Sequence, residues 1–149
     1  MATAIRDGPV SSGGAGMMAL FHMQGTSRTA MLVEHCHKQS TTGQFLQMCI
    51  EDLVREVGLY QPLWKNKFDT YSKYVSDHSL IYHACSYNST NHIDISIPHQ
   101  ELMPNRENDR SIMDLATKFY DNTSVLRSIQ RVRMSLGLVN LSNICAANG

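Results

Sequence analysis

The stretch TTGQFLQMCIEDLVREVG, running from Thr41 to Gly58, decides the architecture. Its apolar side chains stand at Leu46, Cys49, Ile50, Leu53, Val54 and Val57. That is the i, i+3, i+4, i+7, i+8, i+11 spacing of one broad face on an α-helix. Thr41 or Thr42 offers a hydroxyl to cap the start, and Gly58 supplies the left-handed residue that closes such a helix. Glu51 and Asp52 are adjacent, so they project about 100° apart and cannot share an ion. Glu51 is instead placed to pair with Arg55 at i+4. So wide an apolar face demands further helices to cover it.

The flanking segments supply them. A helix over 24–38 brings Ala30, Met31, Leu32 and Val33 toward a core. After Pro62 a short helix over 68–74 is expected, and Asp77 or Ser79 opens another with Leu80, Ile81, Ala84 and Cys85 inward. Arg110 to Tyr120 reads as a helix facing in through Ile112, Met113, Ala116 and Phe119. Asn122 or Thr123 caps a last helix, with Val125, Leu126, Ile129, Val132 and Leu136 as its stripe and Gly137 as its stop. Between them, His92 to Ile97 alternates polar and apolar strictly, the pattern of a half-buried strand ended by Pro98. A lone strand needs a partner, from a weak segment or from chain outside this sequence. The expected fold is mainly α, a helical domain of about five to six helices with at least one short β-strand. Residues 1–23 read as a glycine-rich joint or loop and 24–149 as the helical domain.

A chain of 149 residues is about one domain, and with 42% hydrophobic and 17% charged residues it is not a disordered one. Formal net charge is zero, so nothing global draws it to nucleic acid or anionic lipid, and any such binding must come from a local patch. Cys36, Cys49, Cys85 and Cys145 form no CxxC pair and follow no secretory signal, which predicts reduced thiols. No apolar run approaches the roughly 20 residues needed to span a bilayer. These features predict a soluble, intracellular chain with no membrane partner.

Motifs for chemistry are sparse. From Gly14, the stretch GGAGMMA spells the G-x-G-x-x-A form of a dinucleotide fingerprint, but no buried strand precedes it and Gly8-Pro9 is turn chemistry. It reads as a bend hinged on Gly13, Gly14 and Gly16. His35 and His37 lie at i, i+2 and do not share a helix face, so they suit a helix end better than zinc. No G-x-S-x-G elbow marks a nucleophile. No catalytic residue, metal ligand or cofactor is expected. Two basic segments remain. In WKNKFDTYSKY, Lys65, Lys67 and Lys73 interleave with Trp64, Phe68, Tyr71 and Tyr74, pairing phosphate-neutralising charge with rings that stack on bases, Trp64 and Tyr71 foremost. In SVLRSIQRVRM, Arg127 and Arg131 share a helix face with Arg133 nearby, and no acid follows Asn122.

Taken together, several stretches resemble retroelement polyproteins that carry a reverse transcriptase, in the region downstream of the polymerase palm. They are GPVSSGGAGMMALFHMQGTSRTAMLVEHCHK, TTGQFLQMCIEDLVREVGL, SDHSLIYHACSYNSTNHIDI and LRSIQRVRMSLGLVNLSNICAANG. The Gly13-Gly14-Ala15-Gly16 joint, the Thr42-Gly43-Gln44 helix closing at Val57-Gly58-Leu59, and Leu141-Ser142-Asn143-Ile144-Cys145 carry the likeness. Asn148-Gly149 departs from the more usual aspartate-glycine, and tryptophans expected near Ser79 and Tyr82 are missing. The Tyr-x-Asp-Asp polymerase motif and the spaced carboxylates of RNase H are also missing, and two-metal phosphoryl transfer requires them. The resemblance thus implies a non-catalytic fragment of a larger chain, of thumb or connection type. It would pack on the missing palm and flanking domains and track the template–primer backbone. The other reading of the same residues is a helical protein-interaction or regulatory module with no nucleic-acid role.

Overall fold

Ser40, rather than either threonine, opens the central helix. In the computed structural model, which describes residues 6, 8–12, 14, 16, 19–38, 40–99 and 101–146, the Ser40 hydroxyl accepts a hydrogen bond from Gly43 N at 3.0 Å. Its backbone is extended, as a cap requires, whereas Thr41 and Thr42 already lie within the helix. Among the described residues the helices are Leu20–Lys38 (α1), Thr41–Val57 (α2), Phe68–Tyr71 (α3), Leu80–Thr90 (α4), Ile112–Phe119 (α5) and Thr123–Ser135 (α6). The chain is mainly α. Helix α1 starts inside the segment expected to be a joint, and α3 is shorter than the 68–74 expected. Ser79, Ser111 and Asn122 cap α4, α5 and α6 in the same manner as Ser40.

Helix α2 lies at the centre, packed against α1, α4 and α6, while α5 packs on α6 and α3 on α4. Ile50 and Leu53 of α2 meet Leu32, Ile81, Met113 and Leu126 in one buried cluster. The end of α2 lies beside buried Val57, Gly58 and Leu59, where its last four carbonyls are at least partly screened from water. Each has a partner. Gly58 N donates back to Val54 O at 2.9 Å, with Gly58 in the left-handed region at φ +67°. Arg133, on α6, donates through Nη2 to Arg55 O at 2.8 Å and also to Glu56 O. The Tyr74 hydroxyl donates to Val57 O at 2.9 Å. A buried cation at the negative end of a helix dipole completes the arrangement. Arg133 is only 3% exposed, and burial pulls its pKa below the ordinary arginine value.

A second clasp closes the C-terminal part. Ser111 and Asn140 form an antiparallel bridge, with Ile112 N donating to Val139 O and Leu141 N to Arg110 O, each at 2.9 Å. Tyr60, just beyond α2, donates its hydroxyl to Asn140 Oδ1 at 2.9 Å.

Several expectations need correcting. His92 is a turn residue and Ile93 to Ile97 join no ladder, so the Ser111–Asn140 bridge is the only strand pairing among the described residues. The alternation over 92–97 reflects burial on one side, since Ile97 is buried and Ile95 half-buried, while the backbone turns onto α4 through Ile93 N to Asn88 O at 2.9 Å. On α6, Leu126 faces in but Val132 and Leu136 are exposed, because Arg133 takes the inward position next to them. Phe119 and Leu80 are exposed too, each at the end of its helix where the neighbouring layer stops. Arg55 lies 3.7 Å from Asp52, not paired with Glu51, and such a surface pair contributes little.

Two stability measurements check this core. Alanine at Gly137, which also has a positive φ but open space around its missing Cβ, is expected to cost about 1 kcal/mol from backbone strain alone. At Gly58 the same Cβ would sit 2.5 Å from Arg133 Nη2, so Gly58→Ala should cost roughly 2 kcal/mol more than Gly137→Ala in urea denaturation. Equal costs would show that the guanidinium does not depend on that glycine. The second measurement is pH. Burial raises the Tyr71 and Tyr74 hydroxyls above the tyrosine value of 10.0 and pushes the Cys85 thiol from 9.0 up to about 12. The unfolded chain loses these protons first, so the contribution is whole below pH 9 and is lost as pH rises from there. Stability should fall by about 1.4 kcal/mol per pH unit for each group engaged. A flat profile from pH 8 to 11 would contradict their burial.

Candidate nucleic-acid interface

Helix α6 owes its orientation to Leu126 and Arg133, a pair seven positions apart that both point inward. This turns Arg127 and Arg131 to the outside, where both are exposed. Arg127 Nε donates to Lys73 O at 3.2 Å, a contact between residues 54 positions apart in the chain. The arginine face of α6 is thereby set against the lysine-bearing segment. Lys65, Lys67 and Lys73 are exposed, and Lys67 borders two adjacent cavities that also share Thr70 and Thr117. Lys65 adjoins one, of 530 Å³, and Lys73 the other, of 280 Å³.

Among the described residues none of Lys65, Lys67, Lys73 or Arg131 has an ion pair, unlike Lys38 and Lys118, which pair at i+4 with Glu34 and Asp114. Asp69 and Asp121 adjoin the smaller cavity and offset part of the charge. Five cations against two free carboxylates leave a local positive surface on a chain of zero net charge.

Three of the residues expected at such a surface are placed differently. Arg133 is spent on the end of α2 and cannot meet a phosphate. Tyr71 is 1% exposed, its ring edge-on to Phe68 at 5.4 Å, so it cannot stack on a base. Trp64 is half-buried and adjoins neither lysine-bordered cavity. Sequence periodicity could not separate Arg133 from Arg127 and Arg131, since all three read as polar positions.

Of the glycine joint, Gly13 lies outside the described residues. Gly14 N donates to Pro9 O and Gly16 N to Gly8 O, both at 2.9 Å. Gly16 has φ +63° and a Cβ on Gly14 would strike the Gly8 backbone. This is a closed, glycine-dependent bend, and among the described residues no strand precedes it. His35 and His37 do end α1, with His37 Nδ1 2.7 Å from Val33 O. Among the described residues no group of three His, Cys, Asp or Glu side chains is placed to hold a metal ion. Burial raises the thiols of Cys36, Cys49 and Cys85, the reverse of what a nucleophilic cysteine needs. Among the described residues no helix is long and apolar enough to cross a membrane.

Comparison with protein-family models, with curated proteins and with solved structures finds no match.

The two arginines provide a control for the whole assignment. Arg127→Ala removes one exposed contact and should change unfolding free energy by no more than about 0.5 kcal/mol. Arg133→Ala strands two part-buried carbonyls and empties the space of a buried side chain, and should cost about 3 kcal/mol. Similar costs in urea denaturation would mean that their burial has been misassigned.

Proposed function

We propose that this chain is a non-catalytic, thumb- or connection-like part of a reverse-transcriptase-bearing retroelement protein, and that it grips the nucleic-acid backbone. The contact surface consists of Lys65, Lys67, Lys73, Arg127 and Arg131. The observation that carries the proposal is the Arg127 bond to the Lys73 carbonyl, which joins two basic segments far apart in sequence into one surface. The motif resemblance and the mainly helical fold support it. Binding of this kind is sequence-independent, because flexible exposed side chains meet phosphates, and the one exposed ring beside Lys67 and Lys73, Tyr120, can stack on any base. The partners are the template–primer backbone and the palm and flanking domains of the parent protein.

A protein-interaction role is favoured by a different observation. Val132, Leu136 and Ile144 are more than half exposed, and Val132 and Ile144 adjoin an apolar cavity of 330 Å³ with Ile112 and Ile129. Surfaces of that kind attract protein partners.

Fluorescence anisotropy with labelled single-stranded DNA separates the two readings. If all five side chains contact phosphates, log K against log salt should slope at about −3.5. Replacing Lys73, Arg127 and Arg131 together with glutamine should reduce that slope by about 2 without unfolding the chain. Salt-independent binding, or a triple variant that behaves as wild type, would sink the nucleic-acid reading. Strong binding of a hydrophobic dye with no affinity for DNA would favour the protein-interaction role.

A further inference from the structure

A cavity of 340 Å³ lies between the Leu63–Tyr71 stretch, helix α4 and residues 92–95. Its size falls near the lower end of the about 300–1,000 Å³ typical of small-molecule sites. Two buried donors belong to residues that adjoin it and have no hydrogen-bond partner: Asn88 Nδ2 and Trp64 Nε1. Asn88 is 5% exposed, and its Oδ1 accepts from the Thr29 hydroxyl at 2.9 Å. In this orientation its NH₂ is left unmatched. Buried donors without acceptors are costly and rare in native proteins, and two beside one cavity point to an occupant that accepts hydrogen bonds.

The remaining lining defines the rest of that occupant. Trp64, Phe68 and Tyr71 supply aromatic surface, which suits a flat ring. No lysine or arginine adjoins the cavity and Asp94 does, which disfavours an anion. The two N–H dipoles disfavour a cation. At the rim, His92 is held at φ +54°, a conformation costing a non-glycine residue on the order of 1–2 kcal/mol. Strain of this kind collects at ligand sites. It is fixed by the bond from Ile93 N to Asn88 O, so the residue that presents the donor also anchors the rim.

We propose that this cavity binds an uncharged, planar heterocycle bearing carbonyl acceptors, which take the N–H groups of Trp64 and Asn88. The proposal is independent of the backbone-gripping surface, with which it shares no cation. Trp64 is the only tryptophan in the chain, so its indole N–H gives a single, assignable signal in an amide correlation spectrum.

Titration of the ¹⁵N-labelled full chain with 1-methyluracil should shift that signal and the Asn88 side-chain amide saturably. Toluene, flat but without acceptors, should bind more weakly. Trp64→Phe, read on the Asn88 amide, keeps the ring but removes one donor, and should weaken 1-methyluracil about three- to tenfold. Asn88→Leu, read on the indole signal, should do the same. If loss of the Thr29 bond unfolds that variant, Trp64→Phe still decides the matter. Toluene binding as well as 1-methyluracil would make the cavity a plain apolar void and overturn the proposal. Failure of 1-methyluracil to move both signals would overturn it equally, leaving solvent as the partner of the two donors.

Discussion

Everything in this fold leans on the C-terminal end of α2. A helix that stops in the interior leaves carbonyl oxygens which neither water nor a neighbouring strand can satisfy. Here the solution comes from three different places in the chain: Gly58 beside the helix, Tyr74 after α3, and Arg133 on α6. The cation is worth burying because it gains the helix dipole and two carbonyls at once, although its Nε and Nη1 atoms have no partner of their own. Without it α6 has little reason to choose its observed rotation, since its apolar positions alone would favour another.

That rotation also determines the outer surface. With Leu126 and Arg133 inward, Val132 and Leu136 turn outward next to Arg127 and Arg131. One helix therefore presents cations toward the lysine segment and apolar side chains toward the cavity near Ile144. The two proposed kinds of partner would meet neighbouring parts of a single element. An architecture that spends an arginine internally has fixed, as a by-product, what its last long helix can offer to others.

Much of the helical framework was legible from period and punctuation. The apolar stripe of α2 is strong, and Gly58 and Gly137 stand at positive φ as the stop signals implied. Caps were legible to within a residue or two, because Ser40 precedes two threonines with the same chemistry and only backbone geometry ranks them. The alternation at 92–97 misled because period 2 reports which side chains are buried, not whether the backbone has a neighbour to pair with. The basic surface was legible in part: Arg127, Arg131 and the lysines are outside, while Arg133 and Tyr71 are not. The missed signal was an arginine interrupting an apolar stripe opposite a helix that ends in glycine. Asn88 left no trace in sequence, since a polar residue amid LIYHACSYNST reads as the wet side of its helix.

The contact between Gly58 and Arg133 also limits how this chain can diverge. A side chain at 58 would enter the space the guanidinium fills, and a shorter residue at 133 would leave Arg55 and Glu56 carbonyls bare. Neither position can drift alone without passing through a less stable intermediate. Descendants of this sequence should therefore keep the pair or replace both members together, so that two sites remote in the chain are inherited as though they were one.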